Sequence, residues 1–308
     1  MAISKSFFGL RRGSTKSLTF TIFNGKQVTK DRVAFVKNPN TIAQRLQRMK
    51  FLAMQLLLNA GLGDIIDHSW ENKKYGSIDE AMNKWNEYVK SFGFGKKLGS
   101  DFPSELEGLI PDAAYYNKYY RKGGWKAATV ISLSIGQGEI GCTPLHLANL
   151  CATLANRGHY YIPHIIKDSE NVTIDPKYKE KNYTLVDTVH FQKVISGMYK
   201  AVNSGFGSGA TASIAAVEGL EICGKTGTAQ NPHGADHSVF ICFAPKDNPK
   251  IAVAAYVENG GYGAAYAAPI ASLLTEMYLN GKISGNDRKA LEKRMKDANL
   301  LDKVNVKK

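Results

Sequence analysis

Residues 219–230 read GLEICGKTGTAQ and set one cation, Lys225, beside two hydroxyls, Thr226 and Thr228, with Gly224 and Gly227 on either side of the Lys-Thr pair. Two chemistries use such a set. In the first, Gly219, Gly224, Lys225 and Thr226 fit G-x-x-x-x-G-K-T, where bare backbone N–H groups and a lysine cradle phosphates at the start of a helix. In the second, Lys225-Thr226-Gly227 lies on an edge strand beside a peptide groove. There the lysine fixes a substrate carboxylate and helps proton movement, and the threonines supply hydroxyls. The N–H of Thr228 faces a developing oxyanion, and the missing side chain at Gly227 lets a substrate backbone lie close.

The flanking elements separate the two. A phosphate loop needs a helix that begins at the Lys-Thr pair. Here Gly227, Asn231, Pro232 and Gly234 follow, which excludes a helix of useful length, while Leu220 to Cys223 alternates as a strand where the bare loop should be. The strand reading fits what comes next. SVFICFAP and KIAVAAYVENG form an antiparallel hairpin across Lys246-Asp247-Asn248-Pro249, and YAAPIASLLTEMYLNG is a closing helix stopped by Gly281.

Upstream, Ser77 and Glu80 make a capping box for a helix with Ala81, Trp85, Tyr88, Val89 and Phe92 on one face and Gly93 as its stop. FGFGKKLGSDFPSELEGLIP reads as loop. TVISLSIGQGEIG reads as a strand-like run and a glycine turn. Thr143 caps a helix with Pro144 in its first turn, Leu147, Cys151, Leu154 and Ala155 on one face and Gly158 as its end. HFQKVISGMYKAVNSG is a further helix, SGFGSGAT a flexible link, and residues 286–308 a charged, loose tail.

The chain has 308 residues, 44% hydrophobic and 22% charged, enough for two domains, and no run of some eighteen apolar residues that would span a membrane. MAISKSFFGLRRG lacks the apolar core of a secretory signal, so the chain as given is expected to stay in the cytoplasm. Cys142, Cys151, Cys223 and Cys242 show no metal or redox spacing and read as buried, reduced thiols. The histidines, His146, His159, His164, His233 and His237 among them, form no metal motif; His233 and His237 read as loop or surface residues. No cofactor and no metal is expected.

Nearly all of the net +13 lies at the start: residues 1–60 hold 11 Lys and Arg against one acid, Asp31. This basic segment reads as a hairpin, Leu18 to Phe23 and Lys26 to Val36 around Asn24-Gly25, followed by an amphipathic helix ending at Gly61. Its charge admits nucleic-acid binding by residues 1–65, with Phe20 and Phe23 as stacking faces; a solvated basic face is the plainer reading. Its SFFGLRRGSTKS stretch resembles the start of small bacterial proteins to which no activity is attached.

From residue 72 the blocks FGFGKKLGSDFPSELEGLIP, SIGQGEIGCTPLHLANLCATLANRG with YIPHII, CGKTGTAQ, FICFAPKDNPKIAVAAYVENGG and AAPIASLL resemble, in that order, the C-terminal part of the transpeptidase domain of class B penicillin-binding proteins. The resemblance covers about residues 72–285. It implies an α/β (α+β) fold, an antiparallel sheet flanked by helices. It also implies a peptidoglycan D,D-transpeptidase in which a serine attacks a D-Ala-D-Ala amide and β-lactams acylate the same serine. Its expected partners are peptidoglycan stem peptides, β-lactams and cell-elongation membrane proteins, and its expected place is periplasmic, anchored in the inner membrane. Lys225 and Thr226 take catalytic roles under it, Gly227 and Thr228 line the substrate, and Gln137 and Glu139 of GQGE are structural.

The family's other two motifs are not found. No serine has a lysine three positions on, the spacing that puts nucleophile and lysine on one helix face. Ser14 and Lys16 are two apart and precede the hairpin. Ser169-Glu170-Asn171 and Ser284-Gly285-Asn286 match S-x-N by letter but follow the Thr143 helix instead of preceding it, and read as turns. The expected layout is a basic hairpin-helix module over 1–70, a join near 70–72, a truncated transpeptidase part over 72–285, and the tail. Such a chain is expected to be inactive in acyl transfer on its own. A second expectation is that the hairpin pairs with the strands around 238–245 or 251–257 and completes the sheet.

Overall fold

The computed structural model describes, as backbone, short strands before residue 32, and then residues 77–121, 124–167, 173–205, 210–231 and 234–301. The chain divides into two compact units, Met1–Lys74 and Tyr75–Lys308.

In the first unit, β1 (Ala2–Ile3), β2 (Gly13–Ser14), β3 (Leu18–Phe23) and β4 (Lys26–Asp31) form a four-stranded sheet in the order β1-β4-β3-β2. The pair Phe23↔Lys26 leaves the two-residue Asn24-Gly25 connection that the sequence predicts. β2 pairs with β3 only at Thr19 and Phe20, and β1 with β4 only at Val28 and Thr29. The predicted helix near 41–61, the end of the second hairpin arm and Ser169-Glu170-Asn171 lie outside the described residues, as does the middle half of the SGFGSGAT link.

The second unit is built on β7 (Cys223–Ala229), β8 (His237–Ala244) and β9 (Ile251–Val257), antiparallel in the order β7-β8-β9. Side chains alternate across a strand, so the two faces separate cleanly. Cys223 and Phe243 pack with Cys151 and Leu154 of α4 (Pro144–Ala155) and with Phe191, Ile195 and Met198 of α5 (Thr188–Asn203). Phe240, Cys242, Ala244 and Ala255 pack with Ala267, Ala268 and Ala271 of α6 (Ala267–Asn280). The alanines on α6 allow the helix to approach the sheet closely. Ser238 on β8 adds a polar tie at that joint: its hydroxyl donates to the Tyr262 carbonyl at 2.9 Å and accepts from the Ala267 N–H at 3.1 Å, which caps α6.

A smaller layer precedes the sheet, made of α1 (Ile78–Ser91), α2 (Ala113–Tyr120) and α3 (Ala127–Ser134). α1 starts at Ser77 as predicted, its hydroxyl accepting from the Glu80 N–H at 3.2 Å, and Gly93 follows it at φ +93°. Of the predicted stripe Ala81 is buried and Trp85 and Phe92 pack against the core, whereas Tyr88 is exposed; Met82 and Asn86 are buried beside them. Asn86 adds a polar clamp: its amide donates to the carbonyls of Ile110 and Pro111 at 2.9 and 3.0 Å. Sequence periodicity counts apolar residues and overlooks such a residue.

α3 corrects the strand-like reading of TVISLS. A run of apolar residues looks alike in a buried strand and a short helix, and here it is helical over Ala127–Ser134. α2 was not predicted at all, although Asp112 caps it by accepting from the Tyr115 N–H at 2.8 Å. α4 behaves as read: Thr143 is the cap, Pro144 opens the helix, and Gly158 ends it at φ +113°. β5 (His159–Tyr160) and β6 (Asn182–Tyr183) form a short pair before α5.

The charged tail is not loose throughout. α7 (Asn286–Asp297) docks through Arg288, whose Nε donates to the buried Glu276 carboxylate at 2.8 Å. Ser284 donates its N–H to the same carboxylate at 2.8 Å and Gly285 takes φ +83°, so Ser284-Gly285-Asn286 is the helix-entry turn that the sequence suggests.

Candidate active-site strand

Lys225, Thr226, Gly227 and Thr228 all lie on β7, an edge of the three-stranded sheet, paired in sequence with Ile241, Phe240, Val239 and Ser238 of β8. Lys225 is thus inside a strand and heads no helix, which removes the phosphate-loop reading. The chain enters β7 under fixed conditions. Asn203 at the end of α5 donates to the Ile222 carbonyl at 2.8 Å and to the Tyr199 carbonyl at 2.9 Å, so helix and strand entry are tied together.

By the two-residue period, Cys223, Lys225 and Gly227 share the face covered by α4 and α5. Cys223 is fully buried and Lys225 is exposed, so the helical cover ends between them and leaves the lysine at an open margin. The Lys225 ammonium donates to the carbonyl of its neighbour Thr226. On the opposite face, Thr226 Oγ1 donates to Thr211 Oγ1 at 3.3 Å. Thr211 is a site neighbour that sequence reasoning missed, because it lies 15 residues away after a glycine-rich link.

The two glycines of the motif differ in kind. A Cβ on Gly224 would stand 2.3 Å from Cζ and 2.9 Å from Cε2 of the fully buried Phe240 ring, and 3.2 Å from the Ile241 carbonyl, so the core itself requires glycine there. A Cβ on Gly227 would meet only Val239, at 3.4 Å and beyond, and Gly227 does not have the positive φ that favours glycine. Nothing inside the fold calls for glycine at 227. Gly263, in the loop before α6, is close-packed in its turn: a Cβ there would lie 2.6 Å from the Gly227 carbonyl and 3.0 Å from Thr226 Cβ.

The three buried thiols do not substitute for a serine nucleophile. Burial pushes the Cys223 and Cys242 thiols up to about 12, and Cys151 is raised as well, so all three stay protonated and inert. The four cysteines are free, and Cys142 is exposed, contrary to the reading of four buried thiols.

His146 and His237 are structural. His146 is buried: Nδ1 accepts from the Thr143 N–H at 3.2 Å, which leaves the proton on Nε2 to donate to the Lys96 carbonyl at 3.0 Å. His237 accepts from the Asn259 N–H at 3.1 Å and its ring packs on Tyr256, 5.4 Å between centroids, while His233 lies outside the described residues. Among the described residues no group of three His, Cys, Asp or Glu side chains is placed to hold a metal, and no helix is long and apolar enough to cross a membrane.

Comparison with known proteins adds the family. The penicillin-binding protein transpeptidase domain matches residues 25–276, a match that begins upstream of the motif blocks. Peptidoglycan D,D-transpeptidase MrdA of Haemophilus influenzae is 31% identical over 73% of this chain and 37% of its own length. The Acinetobacter baumannii protein of the same name is 34% identical over 65% of this chain and 31% of its own length. The crystal structure of Pseudomonas aeruginosa PBP2 in complex with WCK 5153 superposes with a TM-score of 0.56 at 33% identity, covering 65% of this chain and 43% of that one. Helicobacter pylori PBP2, solved in complex with MreC, gives 0.55 at 25% identity over 65% of this chain and 36% of that one. The chain spans about a third of the length of these curated relatives. With an antiparallel sheet between helices, a Lys-Thr-Gly edge strand and this similarity, the chain belongs to the class B, PBP2-like transpeptidase domain family of penicillin-binding proteins.

Proposed function

We propose that this chain supplies the Lys-Thr-Gly wall of a D,D-transpeptidase cleft: it holds a D-Ala-D-Ala peptide or a β-lactam in an extended pose along β7 and, having no serine-lysine couple of the required spacing, does not acylate. Lys225 binds the terminal carboxylate, Thr226 and Thr228 give hydroxyl contacts, and the substrate backbone lies against Gly227 as an added strand. The supporting observation is the contrast between the glycines. Gly224 is required by Phe240, whereas Gly227 answers no need of the fold and leaves open the space a ligand backbone would use.

Loss of the nucleophile removes around six orders of magnitude of rate in a serine enzyme, so the outcome is close to all-or-none. Purified protein mixed with a fluorescent penicillin should show no label that survives denaturation. Reversible binding of an acetylated peptide ending in D-Ala-D-Ala, followed by NMR titration, should be seen and should be lost in Lys225→Ala. Denaturation-resistant labelling, or peptide binding indifferent to Lys225, would overturn the proposal. By its family, this domain acts where peptidoglycan is built, beside membrane proteins of cell elongation; the MreC complex of the Helicobacter pylori relative supports that setting.

A further inference from the structure

A second feature is built from residues outside the β7 strand. Tyr116, Tyr120, Trp125, Lys126, Thr129 and Glu139 line a cavity of about 470 Å³ between α2, α3 and the GQGE loop, within the range of small-molecule sites (roughly 300–1,000 Å³).

Its walls are held rigidly. Tyr116 and Tyr120 are one helical turn apart on α2, with ring centroids 5.6 Å apart, and Trp125 packs on Tyr116 at 5.5 Å. The Trp125 indole N–H donates to Asn117 at 2.9 Å, and Asn117 donates to Asp79 of α1 at 2.9 Å, so the ring is fixed from behind.

Glu139 is the acid of the cavity. The Tyr116 hydroxyl donates to Oε2 and the Tyr120 hydroxyl to Oε1, the latter at 2.7 Å. Burial alone would raise this carboxyl, but the two tyrosine hydrogen bonds outweigh it and hold Glu139 below its ordinary value, hence ionised. A carboxylate has about four acceptor positions, so the tyrosines leave capacity on both oxygens. Among the described residues neither Glu139 nor Lys126 has an ion-pair partner within 4.0 Å. The lining therefore combines one fixed anion, Glu139, set among aromatic rings with one exposed lysine, Lys126, and the hydroxyl-bearing Thr129 and Ser132. A simple cation would be repelled by Lys126, and a simple anion by Glu139.

We propose that this cavity binds an α-amino-acid zwitterion, its ammonium on the Glu139 carboxylate against the rings of Tyr116, Tyr120 and Trp125, and its carboxylate on Lys126. Ammonium groups gain both from charge-assisted hydrogen bonds and from aromatic faces. The proposal is independent of the role given to β7.

The test uses the full chain and three probes of one shape: L-phenylalanine, its amide, which keeps only the positive charge, and its N-acetyl derivative, which keeps only the negative one. Binding is read by calorimetry and by tryptophan fluorescence. Saturable binding of phenylalanine is expected, weakened at least about tenfold for each singly charged probe. Glu139→Gln should abolish the preference over the N-acetyl probe, and Lys126→Met the preference over the amide. Lys126 is exposed, so its substitution leaves the fold intact and keeps the test decisive even if Glu139→Gln melts early. No saturable binding up to about 20 mM, equal binding of either singly charged probe, or an unchanged preference in Lys126→Met would overturn the proposal.

Discussion

Replacing Gly224 and Gly227 by alanine, one at a time, separates a structural demand from a functional one within a single motif. At Gly224 the new methyl would sit 2.3 Å from Phe240 Cζ, and the ring cannot yield because it is fully buried between β7 and α6. Overpacking of this kind costs about 1–3 kcal/mol. Against it stands a gain of about 0.4–1 kcal/mol from the stiffer unfolded chain. The net expectation for Gly224→Ala is a loss of about 1–2 kcal/mol. At about 2–4 °C per kcal/mol for a domain of this size, Tm should fall by several degrees. At Gly227 only the favourable part applies, since the methyl meets Val239 at ordinary contact distance. Gly227→Ala should hold or raise Tm slightly and yet lose peptide binding, because its methyl would occupy the space of the added strand. Thermal unfolding and NMR titration with a D-Ala-D-Ala peptide read the two effects. If Gly227→Ala bound the peptide as the parent does, the groove assigned to β7 would be wrong; if Gly224→Ala were as stable as the parent, the packing argument would be.

Three further outcomes are expected. Glu276→Ala should cost about 3–5 kcal/mol in urea unfolding, because it strands the mostly buried Arg288; the double replacement of Glu276 and Arg288 by Met should recover most of the loss, and no recovery would show that the pair is not the cause. Asn203→Ala leaves the Ile222 carbonyl unpaired at the mouth of β7 and should cost about 1–3 kcal/mol with weaker peptide binding; unchanged binding would detach strand entry from the site. His159 is held below its ordinary value by burial and by nearby Lys181, so the unfolded chain takes up the proton first. Its contribution to stability is whole above about pH 6.5 and declines as the pH falls below that value. Urea midpoints at pH 7.5 and 5.5 should differ less in His159→Gln than in the parent, and an equal difference in both would refute the assignment.

The sequence made the edge strand legible because its chemistry is local. Strand alternation, the glycines and prolines after Thr226, and the paired runs that became β8 and β9 each act within a few residues, and β7 to β9 emerged in the predicted antiparallel order. The helix caps at Ser77 and Thr143 were legible for the same reason. What could not be read depends on distance. Asn86 reaches residues 24 and 25 positions away and so adds a buried polar position to α1. The docking of α7 rests on one buried carboxylate that looks, by letter, like any exposed glutamate on an amphipathic helix. GQGE carried a visible acid, but only the fold brings Tyr116 and Tyr120 onto it.

The glycine contrast also bears on the proposed separation of binding from acyl transfer. Recognition by strand addition uses backbone groups and a bare position, and those are fixed by the ladder to β8 and not by any side chain that chemistry consumes. Acyl transfer needs a hydroxyl and a lysine brought to one point within hydrogen-bond reach. Under the proposed function the first requirement falls to the seven residues of one strand, and the second needs two residues at a spacing that this sequence does not contain. That reading predicts that a reversible ligand senses Lys225 and Gly227 even where a covalent one leaves no mark.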